Sequence, residues 1–495
     1  MQDRPSTSDH GCPTGWPPAD AVIDAQTPKP SWKLSAVQKR AEQYAAIPIE
    51  WRIDQAVPPH KDTDAFIRLS GLLTAEELAC TEIGDVRVLL EQIATRKLGA
   101  VQVLKAFVKQ AAIAQQLVLG LLHGLPVSLK DIFDVKEVDS TMGWVGLIGK
   151  PAKENSVLTD ILIAQGAVPF VKTNVAQALM LSDSYNHVFK QSLNPLNREL
   201  ISGGSSGGEA ALVVLQGLYG LKPTVGRLPF DESRLVTMDG ILSCEPWRQD
   251  PTLLLIPWRK ELAAKPDKPL KIGYYINDKV VRVQPPIEIA VLAVVDSLKA
   301  AGHTLIEWDP TSHAEACKDW VTAVFADGGE IHRKLSEASG EPLVKGLLIG
   351  TEKDTLSVAE PRDLAAKKLR YEKDYLKRWN DAGIDALITP VAPWVGKRPR
   401  VWAGSKPHVG YTSHWNWLDY AALTIPVMRA ESSSASSQQW SDHVPWNESD
   451  EMNYQLYDFD LIRGIPVGVQ IIGGKYGEEK CVSVAKVVKD VLEVT

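Results

Sequence analysis

Two short segments carry residue types that perform acyl transfer. One is SGGSSGG, residues 202–208, which the apolar run EAALVVLQ follows at once. The other is HGLPVSLKD, residues 123–131, in which Lys130 ends an apolar run of strand type. A serine hydroxyl beside a base is an activated nucleophile, and a desolvated lysine is one of the side chains that act as the base. If the fold brings the two segments together, they form a hydrolytic site.

The glycine-serine segment has three interpretations. A flexible linker is typical of isolated Gly/Ser text, but polar residues follow a linker, whereas a helical pattern follows here. A phosphate-binding loop needs Gly-Lys-Ser/Thr, which the segment lacks. Residues 203–207 match the G-x-S-x-G nucleophile elbow, yet the preceding SLNPLNRELI is rich in turn residues and is not the apolar strand that an elbow needs. Glycines before a helix also let backbone N–H groups approach a ligand closely.

Lys130 has two interpretations. In the first, it is a surface lysine paired with Asp131 and Asp134. In the second, the end of a buried strand delivers it into a dry cleft, where desolvation disfavours the ammonium form and leaves an amine that accepts a proton. The neighbouring residues are compatible with both.

Composition excludes several classes of function. A chain of 495 residues predicts about three domains or one large α/β domain. A net charge of −7 without a Lys/Arg-rich run argues against a nucleic-acid or membrane partner. The longest apolar run, residues 117–122, is too short to cross a membrane, and the first twenty residues do not resemble a secretory signal. Five scattered cysteines predict a reducing compartment, the cytosol, and no Cys/His spacing indicates a metal site.

The rest of the sequence alternates helical patterns with strand patterns. Residues 1–30 predict a disordered tail, and helical periodicity begins at Ser31. Thr74 with Glu77 predicts a capping box. The predicted strands are the apolar runs LPVSL, VPFV, LKIGYY, HTLIEW, IDALITPV and GIPVGVQII. Because helices separate them, they predict a largely parallel sheet covered on both faces, and the Ser-rich acidic stretch 431–451 predicts an exposed loop.

Four segments in order, HGLPVSLKD, GAVPFVKTNVAQALM, NPLNRELISGGSSGGEAAL and GLYGLKPTVGRLP, resemble the amidase signature family. KIGYYINDKVV and LDYAALTIPV look most like its fungal acetamidase-type members. The resemblance implies one α/β domain over residues 31–495 with the amidase signature fold, a mixed, largely parallel central sheet covered by helices on both faces. It also implies hydrolysis of a small carboxamide without a metal or organic cofactor, and it leaves a homodimer open.

The resemblance gives each part of the two segments a role. By motif position, Lys130 is the base of a Ser-Ser-Lys triad, and Ser205 is its bridging serine, held beside a cis peptide. The loop around this site consists of Gly203, Gly204, Ser206 and Gly207. Backbone N–H groups in such a site stabilise the oxyanion that forms during the reaction.

The third member of the triad, the attacking serine, is absent from this sequence. In the family, a motif of the form Gly-Thr-Asp-x-Gly-Gly-Ser-x-Arg follows the helix after GGSSGGE and supplies the nucleophile. Here the sequence passes from Gln216 directly to Gly217 without the roughly twenty residues that carry this motif. No serine lies between Ser206 and Ser233.

Two similar junctions lie within residues 116–121 and 242–244. Three clean gaps between well-matched segments are typical of a gene prediction with over-trimmed exons, and a true pseudoenzyme is the alternative. Two other hypotheses therefore stand beside the amidase: a catalytically dead amidase-like binding protein, and a Ser-His-Asp α/β-hydrolase with Ser205 as its nucleophile. The downstream histidines available to the latter are His303, His313, His332, His408, His414 and His443.

Overall fold

A computed structural model of the chain describes residues 38, 41–42, 44–53, 67–68, 70–83, 86–116, 126–164, 168–216, 219–228, 250–401, 408–431, 440 and 443–493. The predicted tail, residues 1–30, lies outside these ranges. So do most residues of the three junctions, namely 117–125, 217–218 and 229–249. In the segment where helical periodicity begins at Ser31, the first described residues are helical, as the periodicity predicts: 38, 41, 42, 44 and 45.

The helices follow the predicted capping and periodicity. The Thr74 hydroxyl accepts a hydrogen bond from the Glu77 N–H at 3.1 Å, and the Glu77 carboxylate accepts one from the Thr74 N–H at 2.8 Å, which confirms the capping box. The described part of the chain contains no helix long and apolar enough to cross a membrane. The helices are α1 (Ala75–Thr81), α2 (Val86–Ala94), α3 (Ala100–Gln116), α4 (Val157–Ala164), α5 (Gly207–Gln216), α6 (Pro285–Ala300), α7 (His313–Val324), α8 (Glu330–Ser339), α9 (Glu360–Ala382), α10 (Gly410–Leu418), α11 (Glu448–Gln455), α12 (Phe459–Ile462) and α13 (Glu478–Glu493).

The six apolar runs predicted as strands all form strands. Strands β5 (Gly220–Lys222) and β9 (Ala421–Arg429) were not predicted from the pattern, and neither was the short hairpin that β3 (Tyr185–Asn186) forms with β4 (Lys190–Gln191). The strands are β1 (Pro126–Lys130), β2 (Val168–Thr173), β3 (Tyr185–Asn186), β4 (Lys190–Gln191), β5 (Gly220–Lys222), β6 (Lys271–Tyr274), β7 (Thr304–Glu307), β8 (Ala386–Pro390), β9 (Ala421–Arg429) and β10 (Pro466–Gly474).

Six strands form one mixed sheet in the order β5-β9-β10-β8-β6-β7, and β1 with β2 forms a separate parallel pair. The α/β class and the mixed sheet are confirmed. Parallel pairing is less prevalent than expected: β6 is parallel to β7 and β8, whereas β10 is antiparallel to β8 and β9, and β5 is antiparallel to β9. Alternating helices and strands predict parallel pairing, because a helical crossover returns the chain to the same end of the sheet before the next strand begins. Strands β9 and β10 instead run in opposite directions.

Helices cover both faces of this sheet. Strand β8 is buried along its whole length, and its consecutive residues Leu387 and Ile388 belong to two different hydrophobic clusters. The first cluster packs the sheet against α6, α13 and the end of β1, where it includes Leu129. The second packs it against α9 and α10 through large aromatic side chains. Burial on both faces explains why β8 reads as a continuous apolar run.

The predicted exposed loop at 431–451 is exposed at several described positions, such as Val444 and Trp446, but buried at others. Trp440 is 3% exposed and His443 is 9% exposed, and α11 begins at Glu448. The His443 ring bonds to the buried Asp450 carboxylate at 2.8 Å, and the Trp440 ring stacks on Tyr454. These buried contacts were not predictable from the polar composition of the stretch. An Asp and a His that pair in the interior cannot be distinguished by residue type from an Asp and a His on the surface.

Candidate active site

The parallel pair β1 and β2 delivers the lysine. Lys130 is the last residue of β1, and its register partner is Thr173, the last residue of β2. Parallel strands end at the same edge of a sheet. Residues that follow β2 therefore lie beside Lys130, which is partly buried at this position.

The glycine-serine segment reaches the same edge because helix α5 packs tightly on the end of β2. A Cβ added to Gly208 would lie 2.5 Å from Thr173 Cβ, closer than side chains approach each other. The Gly208 N–H also donates to the Asn174 carbonyl at 3.0 Å. Glycine at this position lets the start of α5 meet the backbone of β2, and the loop that precedes α5 lies over the end of β1.

Lys130 and Ser205 meet directly. The Lys130 Nζ donates to the Ser205 Oγ at 3.1 Å, and both residues are partly buried. The Gly204–Ser205 peptide bond is cis, which is the bond that the family resemblance implies, and Gly203 has a φ of 111°. An amine at this distance from a hydroxyl is within reach of a proton transfer.

Asp131 pairs with a different lysine. The Lys172 Nζ lies 3.1 Å from the Asp131 Oδ1, and the Thr141 N–H donates to the same carboxylate at 3.1 Å. Burial raises the pKa of Asp131, although Lys172 and Thr141 act in the opposite direction. The interpretation of Lys130 as an ion-pair partner of Asp131 is therefore wrong, because Lys172 occupies that place.

The backbone of the loop is held by residues that sequence reasoning missed. The Ser205 carbonyl accepts from the Ala176 N–H and from the Ser184 hydroxyl, each at 3.1 Å. The Gly207 N–H donates to the Ser184 Oγ at 2.6 Å. Ser206 immediately precedes helix α5, and its carbonyl accepts from the Ala210 N–H at 2.7 Å. No motif singled out Ser184, because its contacts depend on the tertiary approach of residues 181–184 to the loop.

The downstream histidines have other partners. In the part of the chain that the structure describes, the Ser205 hydroxyl bonds to Lys130 and to none of these histidines. His303 accepts from the Leu270 N–H, His332 stacks near Trp144, and His408 and His443 bond to aspartates. His313 and His414 stack on each other with ring centres 3.6 Å apart, and burial lowers the pKa of His313 to about 3. This arrangement offers no support for a Ser-His-Asp triad on Ser205.

The junction of Gln216 with Gly217, where the nucleophile is expected from the sequence to be absent, lies between α5 and β5. Helix α5 ends at Gln216 and strand β5 begins at Gly220, so three residues connect them. Gly217 and Leu218 are outside the described residues. Among the described residues, no cluster of three or more His, Cys, Asp or Glu side chains is arranged to hold a metal ion.

Comparison with known proteins identifies the family. A family profile described as Amidase matches residues 89–216 and 214–482. The chain is 31% identical to an acetamidase of Aspergillus oryzae over 552 aligned positions, which cover 94% of this chain and 99% of the relative. It is also 31% identical to an acetamidase of Emericella nidulans, with 93% of this chain and 98% of the relative covered.

Solved structures agree with this assignment. The fold superposes on fatty acid amide hydrolase with a TM-score of 0.81 and 26% identity, over 93% of this chain and 95% of the other. A 6-aminohexanoate cyclic dimer hydrolase shares the fold with a TM-score of 0.60 at 18% identity, over 82% of this chain and 97% of the other. The fold, the profile match and the acetamidase relatives agree, and the chain belongs to the amidase family, whose members are hydrolases of carbon–nitrogen bonds.

Proposed function

We propose that this chain is an acetamidase-like amidase for a small carboxamide that retains the base and the bridging serine of a Ser-Ser-Lys triad and lacks the attacking serine. The contact between the Lys130 Nζ and the Ser205 Oγ at 3.1 Å carries the proposal. The acetamidase relatives support an amide with a short acyl group as the substrate. We also infer a single catalytic domain over residues 31–495, because the Amidase match runs to residue 482 and both core clusters share β8 and β10.

In the complete reaction, a serine hydroxyl attacks the amide carbonyl and forms a C–O bond. Its proton passes through the Ser205 hydroxyl to the Lys130 amine. The Lys130 ammonium then returns a proton to the leaving nitrogen, the C–N bond breaks, and the amine departs. Water repeats the sequence on the acyl-enzyme and releases the acid. Lys130 and Ser205 move protons in both halves, and the attacking oxygen belongs to the absent segment.

Two features of the comparisons support the absence of a segment. The alignment with the Aspergillus oryzae acetamidase spans 552 positions, more than the 495 residues of this chain, so the relative has residues where this chain has none. The Amidase match divides into two parts at residues 214–216, next to the junction of Gln216 with Gly217. Loss of one triad serine lowers turnover by about a million-fold in a serine hydrolase. The chain as written is therefore expected to be nearly inactive.

A first experiment measures ammonia release from acetamide by the chain as written and by its Ser205→Ala variant. We expect no turnover above background from either protein. Turnover that Ser205→Ala abolishes would overturn the proposed loss of activity. The same assay is applied to a restored chain, in which the segment that the Aspergillus oryzae acetamidase carries between α5 and β5 is inserted after Gln216. Activity of the restored chain is the expected result.

The alternative is a catalytically dead amidase-like protein that binds a ligand or partner with the same fold. The packed core on both faces of the sheet favours a folded product even without the segment. Sequencing the transcript across codons 215–218 separates the two. A message that reads from Gln216 directly to Gly217 supports the binding protein, and a longer message that encodes the missing motif supports the enzyme.

A further inference from the structure

Ser184 contacts three positions of the loop that carries Ser205. Its side chain is fully buried, and its hydroxyl donates to the Ser205 carbonyl at 3.1 Å while accepting from the Gly207 N–H at 2.6 Å. Its own N–H donates to the Gly203 carbonyl at 3.2 Å. One residue outside the glycine-serine segment therefore bonds to the loop before, at and after the position of Ser205.

A backbone hydrogen bond and the close approach of helix α5 restrict the position of the Ser184 hydroxyl. The Ser184 carbonyl accepts from the N–H of Ser192, the residue that follows strand β4, at 2.9 Å. A Cβ added to Gly207 would lie 2.2 Å from the Ser184 Cβ. The start of helix α5 therefore approaches Ser184 as closely as only a glycine allows, and the hydroxyl has no room to adopt a different position without moving the helix.

We propose that Ser184 is a positioning residue that fixes the direction in which Ser205 presents its hydroxyl to Lys130. The proposal rests on the proposed function, in which Ser205 relays a proton to Lys130. The direction of a short side chain such as serine follows the orientation of its own backbone. Two donors, the Ala176 N–H and the Ser184 hydroxyl, hold the Ser205 carbonyl.

Removal of the Ser184 hydroxyl weakens this hold at two points. The Ser205 carbonyl keeps a single donor, Ala176, and the Gly207 N–H loses its acceptor inside the protein. A buried N–H without an acceptor is unfavourable, so the loop is expected to shift until water or another group reaches it. The shift moves the Ser205 hydroxyl relative to Lys130, which stays at the end of β1.

Amide hydrogen exchange on the full chain tests whether the loop depends on Ser184. We expect Ser184→Ala to accelerate exchange about tenfold at Gly207 and also at Ala176, whose own hydrogen bond is not altered by the substitution. Ser184→Cys retains a weaker donor and acceptor and is expected to give an intermediate rate. Ser413→Ala is the matched control, since Ser413 is 1% exposed and bonds to Cys317. Unchanged exchange at Ala176 in Ser184→Ala would overturn the proposal.

Kinetics of the restored chain test the catalytic consequence. We expect Ser184→Ala to lower kcat about 10- to 100-fold with KM nearly unchanged, because the substrate contacts remain while the proton relay is misplaced. Ser184→Cys is expected to recover part of the loss, and Ser413→Ala to keep full activity. An active restored chain whose kcat is unaffected by Ser184→Ala contradicts the positioning role. An inactive restored chain contradicts the proposed function, while the exchange result at Ala176 still decides whether Ser184 positions the loop.

Discussion

The close approach of helix α5 to strand β2 can be tested with Gly208→Ala. An added Cβ would lie 2.5 Å from the Thr173 Cβ and 2.7 Å from the Asn174 backbone nitrogen, whereas ordinary contacts begin at 3.4 Å. The helix must therefore retreat by roughly 1 Å, since the Asn174 nitrogen belongs to the backbone and cannot swing away. Overpacking of this kind costs about 1–3 kcal/mol. The greater helix preference of alanine offsets up to ~1 kcal/mol.

The expected net result is a loss of about 1–2 kcal/mol in the free energy of unfolding, measured by denaturant titration. In the restored chain, the same retreat carries Ser205 from 3.1 Å to about 4 Å from Lys130, beyond hydrogen-bond distance, and lowers kcat. Gly220→Ala is the control, because a Cβ at Gly220 meets nothing within 4 Å. If Gly208→Ala is as stable and as active as Gly220→Ala, the helix does not set the position of Ser205.

Two further predictions concern the buried charges. The buried side chain of Arg227 pairs with Glu478 and Glu479. Arg227→Met leaves these two buried carboxylates without their partner, so we expect it to lower the free energy of unfolding by about 3–5 kcal/mol in denaturant titration. Arg463→Met, which removes an ion pair on the surface, is the control and is expected to lower it by at most ~1 kcal/mol. Equal losses would contradict this. Burial lowers the pKa of His313 from 6.5 to about 3, so the unfolded chain binds the extra proton first. The contribution of His313 to stability is therefore complete above pH 6.5 and is lost between pH 6.5 and 3. We expect His313→Phe to reduce the slope of the free energy of unfolding against pH in this range by up to about 1.4 kcal/mol per pH unit. An unchanged slope would refute the prediction for His313.

The pattern of the sequence predicted the local elements of the fold well. The Thr74 capping box and the six apolar runs correspond to the elements in the structure, because capping and periodicity act over a few residues. Strand directions were less predictable. Strand β9 was missed because its burial varies along its length and its apolar run continues from the Trp-rich helix α10, and its antiparallel pairing with β10 depends on residues distant in sequence.

The sequence motifs predicted the two residues at the centre of the site but not the contacts around them. The meeting of Lys130 with Ser205 followed from the family resemblance, and the structure brings the two side chains into contact. The contacts of Ser184 and the pairing of Asp131 with Lys172 were not predictable, because both form between segments that only the tertiary fold brings together. Asp131 adjoins Lys130 in sequence, but it lies in the turn that follows β1, and its carboxylate pairs with Lys172.

The role of Lys130 is tested most directly by acetamide hydrolysis in the restored chain. Lys130→Met is expected to lower kcat at least about a hundredfold, the usual contribution of a general base. Lys109→Met is the matched control, since Lys109 is also partly buried and pairs with Glu77 at 3.0 Å in another part of the fold. Its activity is expected to stay within about twofold of the parent. An active restored chain in which Lys130→Met and Lys109→Met hydrolyse acetamide equally fast would contradict the assignment of Lys130 as the base.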